Sequence, residues 1–193
     1  IAEGTGFISS NIISSVSGEV KAIEERLTVS GNKVISIIIE NDNEYMGVED
    51  LGNKRNYMDL TKEEIRKIVK ESGIVGLGGA GFPTHVKLSP KDDEKIEYVI
   101  VNGAECEPYL TSDYRIMIEM PEKLVLGLKV ILRLFPKAKG IIAIEDNKHE
   151  AIAKLIELTK NEEDIEVKVL KTKYPQGSER KLIYATTGKK INS

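Results

Sequence analysis

Tyr98-Val99-Ile100-Val101-Asn102-Gly103-Ala104-Glu105-Cys106-Glu107-Pro108 joins a short apolar run to a polar, glycine-containing turn, and its reading decides the fold. A run of this length without polar alternation predicts a strand buried on both faces, as in a parallel sheet. The same texture returns at Gly140 to Ile144, a second strand, and Ile165 to Leu170 reads as a third strand. Between these runs lie helical patterns. One spans Asp113 to Phe135 and is broken at Pro121; the other runs to about Lys160, with Asp146 or Asn147 available to cap it. Strands separated by helices imply right-handed βαβ crossovers and a mostly parallel sheet flanked by helices. The expected fold class is α/β.

Upstream of this core, Thr61-x-x-Glu64 is a capping-box signature, and Ile65, Ile68 and Val69 recur at helical spacing before Gly73. Before Asp42 the texture differs. Short β-prone runs are separated by Gly4-Thr5-Gly6, Ser17-Gly18 and Ser30-Gly31-Asn32, with Val34 to Ile39 the most continuous strand, which predicts a small all-β unit. Residues 40–57 are polar and rich in Asn and Gly, and read as a connection that carries the domain boundary.

Composition narrows the function classes. The 193 residues carry 28 basic and 31 acidic side chains, a formal charge of -3, so no phosphate-neutralising surface is expected and nucleic acid is not a favoured partner. One cysteine excludes an internal disulfide framework and any cysteine-only zinc or iron–sulfur site built by this chain alone. The most apolar stretch, Leu124 to Phe135, is interrupted by Lys129 and Arg133 and bracketed by Pro121 and Pro136, so no direct membrane span is expected. The chain opens on Ile1 within a strand-and-turn pattern, which reads as a piece of a longer or processed chain.

Gly76-Leu77-Gly78-Gly79-Ala80-Gly81 matches G-x-G-x-x-G, but a capped helix precedes it where the dinucleotide fingerprint needs a strand. What remains is physical: a backbone free of Cβ atoms can turn its N–H groups toward one anion and let a ligand approach closely. A flexible linker or tight turn is the alternative; Phe82-Pro83 would stiffen the loop. The second constellation is Asn102 to Pro108, at the carboxyl end of the first buried strand, where open α/β sheets bind ligands. Its acids can accept hydrogen bonds from a ligand or merely solvate a turn. His85 and His149 stand far apart in sequence, with no acidic or cysteine residue at metal-ligand spacing, so no metal site is expected. Cys106 reads as a small packing residue, its thiolate disfavoured by flanking carboxylates. Lys87 could reach a phosphate as a point charge.

Residues 73–88, Gly73-Ile74-Val75-Gly76-Leu77-Gly78-Gly79-Ala80-Gly81-Phe82-Pro83-Thr84-His85-Val86-Lys87-Leu88, closely resemble the glycine loop of the RnfC family, the peripheral subunits of Rnf electron-transport complexes. Asn102 to Thr111 with Asp113-Tyr114-Arg115, then Ile144-Glu145-Asp146-Asn147-Lys148, then Thr172 to Glu179 resemble that family in the same order. More distantly the motifs are similar to the flavin subunit of respiratory complex I. The resemblance implies noncovalent FMN with NAD(H) stacked on it. By motif, Gly76, Gly78, Gly79, Gly81 and Phe82 would lie beside flavin and nucleotide, and Lys87 would help neutralise phosphate. Asn102, Glu105 and Glu107 would line the flavin and nicotinamide side; Tyr174, Gly177 and Glu179 would close the pocket. No protein side chain is implied as catalytic, because the flavin carries the chemistry.

Phe7 to Ser10 and Ser14 to Val20 resemble the family's N-terminal barrel-sandwich hybrid, which is similar to biotinyl and lipoyl carriers; no carrier-lysine triplet occurs. The implied domains are a partial barrel-sandwich hybrid over 1–43, a linker over 44–58, and an FMN/NAD(H)-binding α/β domain over 59–193 that the family would continue further. The family's 4Fe-4S cluster motifs and a later Asn-Val segment are absent from the span, and Ser178 stands where the family leads one to expect glycine. The implied activity is electron exchange between NAD(H) and iron–sulfur clusters in an ion-translocating ferredoxin:NAD oxidoreductase. Other Rnf-type membrane subunits would be partners and ferredoxin an indirect one, at the cytoplasmic face of the membrane, with the span alone inactive. Two other readings stand beside it: a soluble microcompartment cobalamin reductase of the same fold, and a non-catalytic adaptor with a vestigial site.

Overall fold

The computed structural model describes residues 1–49, 51–52, 55–77 and 81–191, and the chain separates into two compact units. The first comprises residues 1–59 and 67–86; the second comprises residues 60–66 and 87–193.

In the first unit, β1 (Gly18–Leu27) and β2 (Lys33–Asn41) form an antiparallel hairpin with a bulge between Val20 and Ala22. The expected turn at Ser30-Gly31-Asn32 closes it, with Gly31 N–H donating to Thr28 O and Thr28 N–H to Asn32 O, both at 2.9 Å. The open end is held by Ser17, whose hydroxyl donates to Asp42 at 2.6 Å and accepts from Met46 N–H at 3.0 Å.

α1 (Lys62–Glu71), which the four-residue α2 (Thr84–Lys87) follows along the chain, starts as the capping box requires. Thr61 Oγ1 accepts from Glu64 N–H at 3.2 Å, and Glu64 Oε2 accepts from Thr61 N–H at 2.8 Å, so two otherwise orphaned donors are satisfied reciprocally. Ile65 is buried, and Arg66 next to it fastens the helix start onto the following segment through Leu88 O (2.8 Å) and Asp93 (2.6 Å).

The second unit is an α/β layer structure. β3 (Tyr98–Gly103), β4 (Lys139–Glu145) and β5 (Ile165–Leu170) form a parallel sheet in the order β3-β4-β5. α3 (Ser112–Glu119) and α4 (Pro121–Leu132) make the first crossover, and α5 (His149–Thr159) makes the second. Pro121 separates α3 from α4, as its missing N–H and fixed φ lead one to expect, and opens the new helix. Strands taken in sequential order by crossovers of one hand place all three helices on one face. There Met117, Val125, Leu128, Ala151 and Leu155 pack with Ile142 and Ile144.

On the opposite face Ile141 and Ala143, the alternate residues of β4, pack with Ala104, Leu170 and Leu182. Leu182 belongs to α6 (Glu179–Thr187), a helix that the alternation of strand and helix patterns does not reach. The burial of nearly all of β4 follows from this double cover. α5 departs from expectation at its start. Its N-cap position is Lys148, with no side-chain cap, in place of the expected Asp146 or Asn147, and Asp146 is instead engaged by Thr172.

Candidate functional site at the carboxyl ends of the strands

In the second unit the carboxyl ends of β3, β4 and β5 carry three loops. The first, residues 104–111, follows β3. Glu105 is almost wholly buried, so it does not merely solvate a turn. Its carboxylate accepts from Asp113 N–H (3.0 Å), Tyr114 N–H (3.4 Å) and Ser112 Oγ (3.3 Å). Thr111, at the N-cap position of α3, offers no side-chain cap, so Glu105 supplies the acceptor for the free N–H groups of that helix. Lys148, from the loop after β4, brings Nζ to 3.8 Å from Glu105 and 5.1 Å from the Tyr114 ring centroid. Burial, with Glu105 and then Glu107 nearby, raises the pKa of Asp113 above the usual carboxylate value.

The third loop, 171–178, crosses the strand ends as a strap between β5 and α6. Asp146 takes hold of its start: Thr172 donates both Oγ1–H (2.6 Å) and N–H (3.0 Å), and Lys171 pairs at 3.1 Å. Those Thr172 contacts, then Lys171, depress the Asp146 pKa to about 2. Asn102 holds the other end by donating Nδ2–H to Gly177 O at 2.9 Å, while Gly177 N–H donates to Cys106 Sγ at 3.4 Å. This approach requires glycine: a Cβ at 177 would stand 2.4 Å from Ala104 O. Cys106 is thus a packing and accepting residue, and its thiol faces Glu107 at 3.8 Å.

Asn102, Glu105, Gly177 and, through Cys106, Glu107 are therefore brought together in this unit. Lys87 and Glu179 approach each other at 3.9 Å, both exposed, a geometry of little energetic weight that leaves either group available to a ligand. Tyr174 stands exposed at the middle of the strap. Glu145, Asp146 and Lys148 lie within a sequence motif that by itself assigns them no site role. The signal available was three charged residues following an apolar strand in a doubly covered sheet.

The glycine loop belongs to the first unit. Val75 and Pro83 form an antiparallel bridge, reinforced by Gly76 N–H donating to Phe82 O and Thr84 N–H to Ile74 O, both at 3.0 Å. Its ends are therefore pinned together, unlike those of a free linker. Gly81 has φ +62, with open space where a Cβ would stand, so the backbone is approachable there. Gly78 and Gly79 lie outside the described residues. Among the described residues no group of three or more His, Cys, Asp and Glu is arranged to hold a metal ion, and no helix is long and apolar enough to cross a membrane.

Comparison with known proteins gives this geometry a context. The family model described as the Nuo51 FMN-binding domain matches residues 69–193, and the RnfC barrel sandwich hybrid domain matches residues 1–44. The chain is 45% identical over 193 residues to a subunit of the Na+-translocating ferredoxin:NAD+ oxidoreductase complex of Acetobacterium woodii. It is 44% identical over 196 residues to a subunit of the proton-translocating ferredoxin:NAD+ oxidoreductase complex of Clostridium ljungdahlii. These matches take in all of this chain but 44% and 42% of those proteins, so the chain spans less than half the length of the relatives.

Among solved structures, an NAD+-reducing NiFe hydrogenase in its H2-reduced state shares the fold at TM-score 0.53 and 23% identity, over 67% of this chain and 25% of that one. The air-oxidised state matches at TM-score 0.54 and 26% identity, over 64% and 23%. The α/β expectation and the resemblance both hold. The chain belongs to the family of the Nuo51 FMN-binding domain, in the RnfC form that joins this domain to an N-terminal RnfC barrel sandwich hybrid domain.

Proposed function

We propose that this chain supplies the FMN- and NAD(H)-binding part of an electron-transfer subunit in an ion-translocating ferredoxin:NAD+ oxidoreductase complex. The observation that carries the reading is the match of residues 69–193 to an FMN-binding domain, in a chain 45% identical to a subunit of such a complex. The residues present fit such a cofactor. The carboxyl end of a parallel sheet is the usual ligand position of open α/β folds, and α6 starts there with no side-chain cap on its N–H groups. Glu145, buried at the end of β4, has one carboxylate oxygen with no partner among the described residues.

In the second unit, Asn102, Glu107, Tyr174 and Gly177 would orient the cofactor, with Lys87 and Glu179 at the exposed edge. Glu105 would act by setting α3 and Lys148. In the first unit, Gly76, whose N–H is taken by Phe82 O, would shape the turn, and Gly78, Gly79, Gly81 and Phe82 would offer backbone N–H groups and a ring to nucleotide phosphates and bases. The chemistry such a group would supply is two-electron exchange with NAD(H) joined to one-electron exchange with iron–sulfur carriers. The chain's own part is to bind, orient and exclude water.

The 4Fe-4S clusters would lie in parts of the longer subunit outside this span. The partners would be other members of the complex, with ferredoxin an indirect one, and the position peripheral, at the cytoplasmic membrane face. The division of the chain into a barrel-sandwich part over 1–43, a linker over 44–58 and a cofactor domain over 59–193 belongs to the same proposal. Titration of this chain with FMN, followed by quenching of flavin fluorescence, tests it. Saturable quenching is expected; absence of saturable FMN binding overturns the reading.

A further inference from the structure

Glu145 is the last residue of the central strand β4, pairing in register with Leu170 of β5. Its neighbours by alternation, Ile141 and Ala143, face α6, so its side chain enters that face, beneath the strap. The residue has no solvent exposure. Among the described residues, Oε1 accepts only the Lys173 N–H, at a long 3.3 Å, and Oε2 has no hydrogen-bond partner. The buried carboxylate on the neighbouring strand end, Glu105, contrasts with it in having three donors and a lysine.

A buried carboxylate oxygen without a donor is costly, and packing gives no reason to keep it, since a glutamine would hold Lys173 N–H equally well. The strap above it is tied at Thr172 by Asp146 and at Gly177 by Asn102. Between these ties, among the described residues, the span 173–176 is hydrogen-bonded to the strand ends only through the weak Lys173 contact. Lifting residues 174–176, of which Gln176 is buried, would leave both ties and the Lys173 contact in place.

We propose that Glu145 is a cofactor-contact residue: with residues 174–176 lifted and Lys173 N–H still on Oε1, its Oε2 accepts a hydrogen bond from an N–H or O–H donor of the bound flavin nucleotide. The inference rests on the FMN reading given above. A flavin nucleotide carries both kinds of donor, a ring imide N–H and the ribityl hydroxyls. A glutamine at 145 would keep the acceptor for Lys173 N–H and put an NH2 where the ligand's donor arrives, setting donor against donor.

The test pairs two measurements on Glu145→Gln and the unaltered chain: urea unfolding without ligand, and FMN titration by fluorescence quenching. The expected result is an unliganded protein as stable as the original or more so, with FMN bound about 10- to 100-fold more weakly. Equal FMN affinity in the two proteins overturns the inference and leaves the FMN reading standing. A Glu145→Gln protein destabilised without ligand also overturns it, because the carboxylate then serves the fold. Failure of the unaltered chain to bind FMN overturns both, and is told apart by occurring before any substitution.

Discussion

Gly177 and Ala104 meet backbone to backbone: a β-carbon at 177 would lie 2.4 Å from the Ala104 carbonyl oxygen. This contact, with Asn102 Nδ2 on Gly177 O, joins the end of β3 to the strap into one surface at the strand ends, Asn102 lying 75 residues before Gly177 in sequence.

Gly177→Ala is therefore expected to push the strap away from the β3 loop, because the atom it strikes belongs to backbone and cannot rotate aside. The cost should be about 1 to 3 kcal/mol in urea unfolding. Loss of the Asn102 contact should weaken FMN binding in the same titration. A variant as stable as the original would show that the loops are not pressed together.

Glu105→Ala removes the acceptor for the start of α3 and leaves the Lys148 ammonium without its carboxylate. A loss of about 3 kcal/mol is expected, the scale of breaking a buried charged pair. Glu105→Gln, which retains one acceptor oxygen, should lose less. If both substitutions leave the unfolding midpoint in place, Glu105 contributes nothing to holding α3.

Asp146 gives the strap a pH dependence. Its pKa falls from 3.8 to about 2 through Thr172 first and Lys171 after. A depressed carboxylate stabilises the folded state above the unfolded value, and that contribution disappears as the pH drops through the folded one. Stability should thus fall between about pH 4 and pH 2 in the original chain, and less steeply in Asp146→Asn. Asp113 has the opposite sign: its raised pKa favours the fold at low pH, and that contribution is lost as the pH rises through the folded value. Unfolding midpoints for Asp146→Asn below pH 3.8 and for Asp113→Asn above it separate the two, since the lowered carboxyl titrates below the ordinary value and the raised one above it.

Arg66 uses two different nitrogens, Nε on Leu88 O and Nη2 on Asp93. Arg66→Lys can replace one contact and not both, since an ammonium lacks the planar fork. A loss of about 1 kcal/mol is expected for Lys and about 2 kcal/mol for Ala, read by urea unfolding. Equal losses would mean that a single contact matters.

Elements whose causes are local were legible along the chain. The Thr61–Glu64 box acts over three residues, the break at Pro121 over one, and β4 is apolar because it is covered on both faces, whereas the outer strands β3 and β5 are only partly buried. The glycine-loop and strand-end motifs were equally legible as motifs, and the family matches over 1–44 and 69–193 agree with them.

What the chain order could not supply was which polar group would satisfy which. Asp146 stands two residues before the N-cap position of α5, close to where a cap is expected, yet Thr172 lies 26 residues away in sequence and offers it two donors. Glu105 became the cap of α3 because Thr111 left those N–H groups free. By sequence alone, then, the order of strands, the capping box and the family motifs were determined, since each depends on neighbours within a turn or on residue type. Only the tertiary structure decided that Glu105 and Glu145 are buried and that Gly177 must be glycine. Burial and backbone approach depend on what the remaining chain lays over a position, and no local pattern encodes that.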